Sequence, residues 1–210
     1  MVRNTAGVLV PEPNAMEANI RKIVTMHDEN YSRERFSDRV LGPLPLVLPN
    51  VPGHKRVIYT IYEYDPLLDS SNMTMDDWIQ IAKDVKQNYH NFDGWVRSIL
   101  TETQPFQLVH VSRFVILHGT DTLAYTSSAL SFMLENLGKP VIVTGSQIPA
   151  FETRSDGRDN LVGALIIAGN FSIPEVTVYF NHKLLRGNRT VKVSFPSLLS
   201  PGQPQSPPSG

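Results

Sequence analysis

Phe114-Val-Ile-Leu-His-Gly-Thr-Asp-Thr-Leu123 is the stretch from which the fold can be read. Phe114 to Leu117 are apolar without alternation. Such a run predicts a strand buried on both faces, as in a parallel sheet. His118 and Gly119 end it, and a helical pattern begins at once. Ligands of doubly wound sheets bind at such a place, outside the carboxyl end of a strand. Thr120, Asp121 and Thr122 put two hydroxyls and a carboxylate there, residue types that also serve as helix N-caps.

Downstream the pattern repeats. Leu123, Leu130, Met133, Leu134 and Leu137 predict a helix from Thr122 to about Leu137, stopped by Gly138-Lys-Pro140. Val141 to Thr144 reads as a second buried strand, with Gly145-Ser-Gln147 as its crest loop. Ser155 to Asp159 opens the next helix, running to about Gly169, and Glu175 to Phe180 is the next strand. Strands alternating with helices imply an α/β fold with a parallel sheet. Leu185 to Lys192 reads as a polar, basic loop, and residues 194–210, rich in Pro, Ser and Gly, as a disordered tail.

Upstream, Arg56 to Tyr64 is rich in β-branched and aromatic residues and reads as a strand. Residues 65–72 form a polar loop in which Ser70 and Ser71 can bind a ligand or simply turn the chain. Thr74 suits an N-cap, and Met75, Trp78, Ile79, Ala82, Val85 and Tyr89 share one face of the helix that follows. Residues 95–113 have no clear period and interrupt the expected short connection to Phe114. In the first fifty residues, Met16, Ile20, Ile23 and Val24 have helical spacing, between loops marked by Pro11, Pro13, Pro43, Pro45 and Pro49.

The 210 residues suffice for one well-cored domain. A formal net charge of -1 gives no reason to expect nucleic acid or a lipid surface as partner. The chain has no cysteine, which excludes disulfides and thiolate metal sites. Met1 to Gly7 begins no signal peptide, and no apolar run approaches the roughly 18 residues of a membrane span. The expected location is the cytoplasm.

Amide hydrolysis needs a nucleophile and a base to activate it. A threonine hydroxyl, a lysine and an orienting aspartate are suitable types. Thr120, Asp121 and Lys192 supply them. Lys192 alone reads as a solvated surface lysine, and spacing does not bring the three together.

His118-Gly-Thr-Asp-Thr122, Asp69-Ser-Ser71, Lys139 to Gln147, Ser155-Asp-Gly157 and Arg186-Gly-Asn-Arg189 with Lys192 closely resemble L-asparaginase of the cytoplasmic type I kind. The resemblance covers about 4–94 and 114–193. It implies a three-layer parallel-sheet asparaginase N-terminal domain over 1–193 and hydrolysis of L-asparagine to L-aspartate and ammonia. It implies no metal or organic cofactor. By resemblance Thr120, Asp121 and Lys192 are catalytic. Ser70 and Ser71 hold the α-carboxylate and α-amino ends of the substrate, which Thr120 and Asp121 also meet. Ser146 and Ala150 fall near the crest loop that closes on the site. Family members are homo-oligomers.

Three departures accompany the match. The family opens with an apolar strand and a Thr-Gly-Gly-Thr-Ile-Gly type loop carrying a primary nucleophile, whereas this chain starts Met1-Val-Arg-Asn-Thr-Ala-Gly7. Residues 95–113 stand as an insertion, and the C-terminal domain is not matched. The resulting expectation is an incomplete N-terminal domain lacking its first strand. Since each unsatisfied buried backbone group costs roughly 1–3 kcal/mol against a total of about 5–15 kcal/mol, marginal stability is expected. The alternative to an active amidohydrolase is a catalytically dead isoform that binds asparagine, aspartate or full-length subunits.

Overall fold

A computed structural model describes residues 2–3, 9–10, 15–38, 43–64, 67–68, 70–89, 113–148, 152–192 and 201–202. The insertion expected at 95–113 lies outside them but for Arg113, as do Asp69 and Ala150. The tail expected at 194–210 also lies outside, save for Pro201–Gly202. Two compact units divide the chain.

The unit built from 69–88 and 113–210 carries a four-stranded sheet. Strands β5 (Phe114–Leu117), β6 (Val141–Thr144) and β7 (Val176–Phe180) run parallel in that order, and β8 (Lys183–Arg186) closes the sheet antiparallel to β7. Register sets Val115 beside Ile142 and Ile142 beside Thr177. Helix α5 (Gly157–Asn170) covers that row, with Ala164 and Ala168 packed on Ile142 and with Val115 and Tyr179 at the margin. Helix α4 (Leu123–Met133) packs against β6 and β7 through Leu123 and Leu130, both fully buried. All four residues of β6 are completely buried. Their branched, apolar character makes the strand: both faces are covered, so no polar alternation is needed.

β5 differs from expectation. Its residues are half-buried and Leu117 is 40% exposed. Among the described residues β5 pairs only with β6 and ends the sheet, so its far edge lacks the neighbour that encloses β6.

The stretch read as a basic loop is a hairpin in part. β8 returns from β7 with Tyr179 opposite Leu184 and Phe180 opposite Lys183. Asn181 and His182 make the two-residue turn with φ of 46° and 60°, the left-handed pair that matches strand twist. A 3-10 turn at Gly187–Arg189 follows, then β9 (Val191–Lys192), which pairs antiparallel with β10 (Pro201–Gly202). Helix α3 (Met75–Asn88) starts after Thr74, whose N–H and Oγ1 both donate to Asp77 Oδ2, at 2.7 and 2.8 Å. The Thr74 hydroxyl thus serves as a donor to the carboxylate rather than as the acceptor of a helix N–H. Ile81 and Val85 are its buried residues, whereas Met75, expected on the core face, is 70% exposed.

The other unit, 1–68 with 89–112, is less regular. β1 (Val2–Arg3) pairs antiparallel with β2 (Leu9–Val10). The first predicted helix is short, α1 (Ala15–Ile20), and is followed by α2 (Glu29–Phe36). Asp28 caps α2 by accepting the Tyr31 N–H at 3.0 Å and is held by Arg56 Nη1 at 2.6 Å. That backbone bond first, and then the Arg56 guanidinium, hold the Asp28 carboxyl below the usual carboxylate range. The strand expected over 56–64 shrinks to β4 (Ile58–Tyr59), antiparallel to β3 (Leu46–Val47). Tyr62 points to solvent at 79% exposure. Ile20, Met26, Leu46, Val47, Leu48 and Val57 are buried in this unit.

Candidate active site

The turn from β5 into α4 sets the site. Gly119 lies so close to the Ser70–Asn72 3-10 turn that a Cβ on it would fall 2.7 Å from Ser70 Cβ and nearer still to Ser70 Oγ. Only glycine permits that approach. Thr122 occupies the N-cap position of α4 but does not cap with its side chain. Its Oγ1 donates instead to Ser70 O at 2.6 Å. The hydroxyl thus ties the Ser70–Ser71 turn to the 118–122 loop, an interloop role the N-cap reading does not contain. Ser70 is buried in this contact and Ser71 is exposed in the same turn.

Lys192 reaches the loop from β9. Its Nζ donates to Thr120 Oγ1 at 3.3 Å and to Asp121 Oδ1 at 3.2 Å. The three residues picked out by type therefore meet, across a separation no spacing rule reports. The Asp121 side chain is 65% exposed and that of Lys192 23%. An ion pair so wet contributes little to stability, which leaves positioning as its physical effect.

Thr120 Oγ1 donates to Gln147 Oε1 at 3.5 Å, so the crest loop after β6 touches the same hydroxyl. That loop is pinned from below. The Asp156 carboxylate accepts the N–H of Gln147 at 3.0 Å and of Ile148 at 3.1 Å, together with Asn160 Nδ2 at 3.1 Å. Asn160, buried, also donates to Gly145 O at 2.9 Å and accepts the Asn181 N–H at 3.0 Å. One side chain thus ties the crest loop to the β7–β8 turn. Ser146, expected near the crest, sits against the start of α5, where a Cβ on Gly157 would meet its Cβ at 3.0 Å.

Beneath the loop lies a chain of polar groups to which the sequence reading assigned no role. Trp78 Nε1 donates to Thr126 Oγ1 at 2.9 Å, Thr126 Oγ1 meets His118 Nε2 at 2.8 Å, and His118 Nδ1 meets Gly119 O at 2.6 Å. Burial pushes the His118 pKa below its ordinary value, and the bond to the Gly119 carbonyl opposes this more weakly. The one available signal was His118 itself, at the strand end of the quoted stretch.

Thr120 and Asp121 at the carboxyl end of a parallel strand, met by Lys192 from β9, give an α/β protein with a threonine, an aspartate and a lysine brought together in one polar cluster. The chain matches the family described as Asparaginase, N-terminal, over residues 16–101 and 106–208, and it belongs to that family. It is 52% identical over 192 residues to an L-asparaginase of Dirofilaria immitis, covering 91% of this chain and 29% of that protein. It is 42% identical over 206 residues to a 60 kDa lysophospholipase of Mus musculus, covering 97% of this chain and 32% of that one. L-asparaginase I of Vibrio cholerae superposes with a TM-score of 0.58 at 53% identity, covering 70% of this chain and 39% of that chain. This chain spans about a third of the length of the curated relatives it matches. Among the described residues, no helix is long and apolar enough to cross a membrane.

Proposed function

We propose that this chain carries L-asparagine amidohydrolase chemistry, converting L-asparagine and water to L-aspartate and ammonia. The observation that carries the reading is the meeting of Lys192 Nζ with both Thr120 Oγ1 and Asp121 Oδ1. Thr120 is the nucleophile or the nucleophile's partner, Lys192 the base that takes its proton, and Asp121 the group that orients Lys192 and binds the substrate α-amino group. Ser70 and Ser71 hold the substrate's α-carboxylate and α-amino ends.

A second reading, binding of asparagine or aspartate without turnover, draws on the direction of the hydrogen bonds. Lys192 donates to both neighbours, while the Thr120 proton points to Gln147. Calorimetric titration with L-aspartate, beside ammonia assays of wild type and Lys192→Met, separates the two. Hydrolysis predicts that Lys192→Met still binds L-aspartate but releases ammonia at least about a hundredfold more slowly, the scale of a lost general base. A folded wild type that binds L-aspartate and releases nothing sinks the first reading and keeps the second.

A further inference from the structure

We propose that His118 is a positioning residue. Held as its Nδ1–H tautomer by Thr126 and Trp78, it fixes the Gly119–Thr120 peptide and with it the hydroxyl of Thr120. The inference rests on Thr120 being a reacting residue.

The tautomer follows from counting donors. An indole N–H can only donate, so Trp78 Nε1 occupies a lone pair of Thr126 Oγ1. The Thr126 amide is already bonded to Thr122 O in the first turn of α4. Thr126 is completely buried, and a buried hydroxyl proton needs an acceptor. Among the described residues the partner at bonding distance is His118 Nε2, at 2.8 Å. Nε2 therefore accepts, the ring proton sits on Nδ1, and Nδ1–H donates to Gly119 O at 2.6 Å. Proton directions run one way, from indole to hydroxyl to imidazole to carbonyl.

The consequence lies in where that carbonyl is. Gly119 O belongs to the peptide plane whose N–H is that of Thr120, so fixing the carbonyl fixes the orientation in which Thr120 leaves the strand. A glycine has no side chain to hold this plane, and glycine is the residue type with the widest choice of backbone conformation. The relay starts on α3, which follows directly from the Ser70–Asn72 turn. Trp78 thus couples the turn that carries Ser70 and Ser71 to the loop that carries Thr120 and Asp121.

The test reads the ring nitrogens of His118 in the full chain by long-range nitrogen–proton NMR at neutral pH. It also reads the backbone amide signals of residues 119–121. Expected in the wild type is a protonated Nδ1 and a bare Nε2. Thr126→Val, equal in size but without the hydroxyl, should mix the tautomers and shift the 119–121 signals, and Thr126→Ser should restore both. Trp78→Phe, which acts from the far end, should produce a smaller shift of the same kind. Ammonia release measured alongside should fall on the order of tenfold or more in Thr126→Val, the scale of a slightly misplaced reacting group, with KM nearly unchanged. A bare Nδ1 in the wild type would overturn the proposal. So would 119–121 signals indifferent to Thr126→Val. A wild type that releases no ammonia, with the expected tautomer in place, counts against the amidohydrolase reading and leaves the tautomer supported.

Discussion

Gly119→Ala probes the junction on which the site depends. The new methyl would stand 2.7 Å from Ser70 Cβ, and an ordinary contact is 3.4 Å or more. The two backbones must separate by about 0.7 Å. Rotating Ser70 Oγ away does not help, because Ser70 Cβ moves only with its main chain. That movement also stretches the 2.6 Å bond from Thr122 Oγ1 to Ser70 O. Overpacking of this kind costs about 1–3 kcal/mol, read as a lowered urea midpoint. If Ser70 binds the substrate, the same displacement removes a hydrogen bond to a charged group, about 1.5–3 kcal/mol. At about 1.4 kcal/mol per tenfold, L-aspartate should bind roughly 10- to 150-fold more weakly in calorimetry. The double variant Gly119→Ala/Ser70→Gly removes both clashing atoms, so it should recover the urea midpoint but not the binding. Wild-type binding and midpoint in Gly119→Ala would refute the reasoning, since the geometry leaves no room for the methyl.

Other perturbations reach different links. Asp156→Ala withdraws the acceptor of two backbone N–H groups and of Asn160. It should cost about 2–3 kcal/mol in denaturant melts and sharpen hydrogen exchange at Gln147 and Ile148. Leu130→Ala empties a fully buried position on α4 and should cost about 2.7–5 kcal/mol by the same assay. Acid should weaken both units. His27 and His118 each have a pKa below the ordinary histidine value, burial being the main cause, with Arg21 adding to it for His27. The unfolded chain then takes up protons first. Stability is complete above about pH 6.5 and falls as pH drops toward the folded pKa values, by at most about 1.4 kcal/mol per pH unit per histidine. Thermal melts between pH 7.5 and 5 check this, and His118→Asn should flatten the slope.

The parallel strands were legible because β5 and β6 are continuous apolar runs, a signal that survives without context. Exposure was not: nothing in Phe114 to Leu117 says which neighbour stands at the far edge, and Leu117 is 40% exposed. α4 stops at Met133 rather than near Leu137, since Asn136 takes a φ of 54° and the apolar spacing that continues past it no longer lies on a helix. β8 was hidden by its charges. Lys183 and Arg186 bracket two leucines, and an Asn-His turn is a weaker hairpin mark than Asn-Gly. α2 has no apolar stripe to detect; the Asp28 cap and the Arg33–Glu29 pair at 2.7 Å support it instead.

For the site, residue types were readable and their meeting was not. Thr120 and Asp121 announce themselves at a strand end, but Lys192 arrives through the β7–β8 hairpin and β9, which spacing cannot trace. The likeness of its motif to asparaginases singled it out. The Trp78–Thr126–His118 relay stayed hidden for a further reason. Trp78 and Thr126 look like ordinary helix core until packing puts donor against acceptor, and His118 by itself names no partner.

The most direct measurement is ammonia release from L-asparagine by the purified chain beside Thr120→Ala, both first shown to melt cooperatively. A working Thr120–Asp121–Lys192 centre predicts release by the wild type and its loss in Thr120→Ala. Release that persists in Thr120→Ala, or its absence from a folded wild type, contradicts the assignment of amide hydrolysis to these three residues.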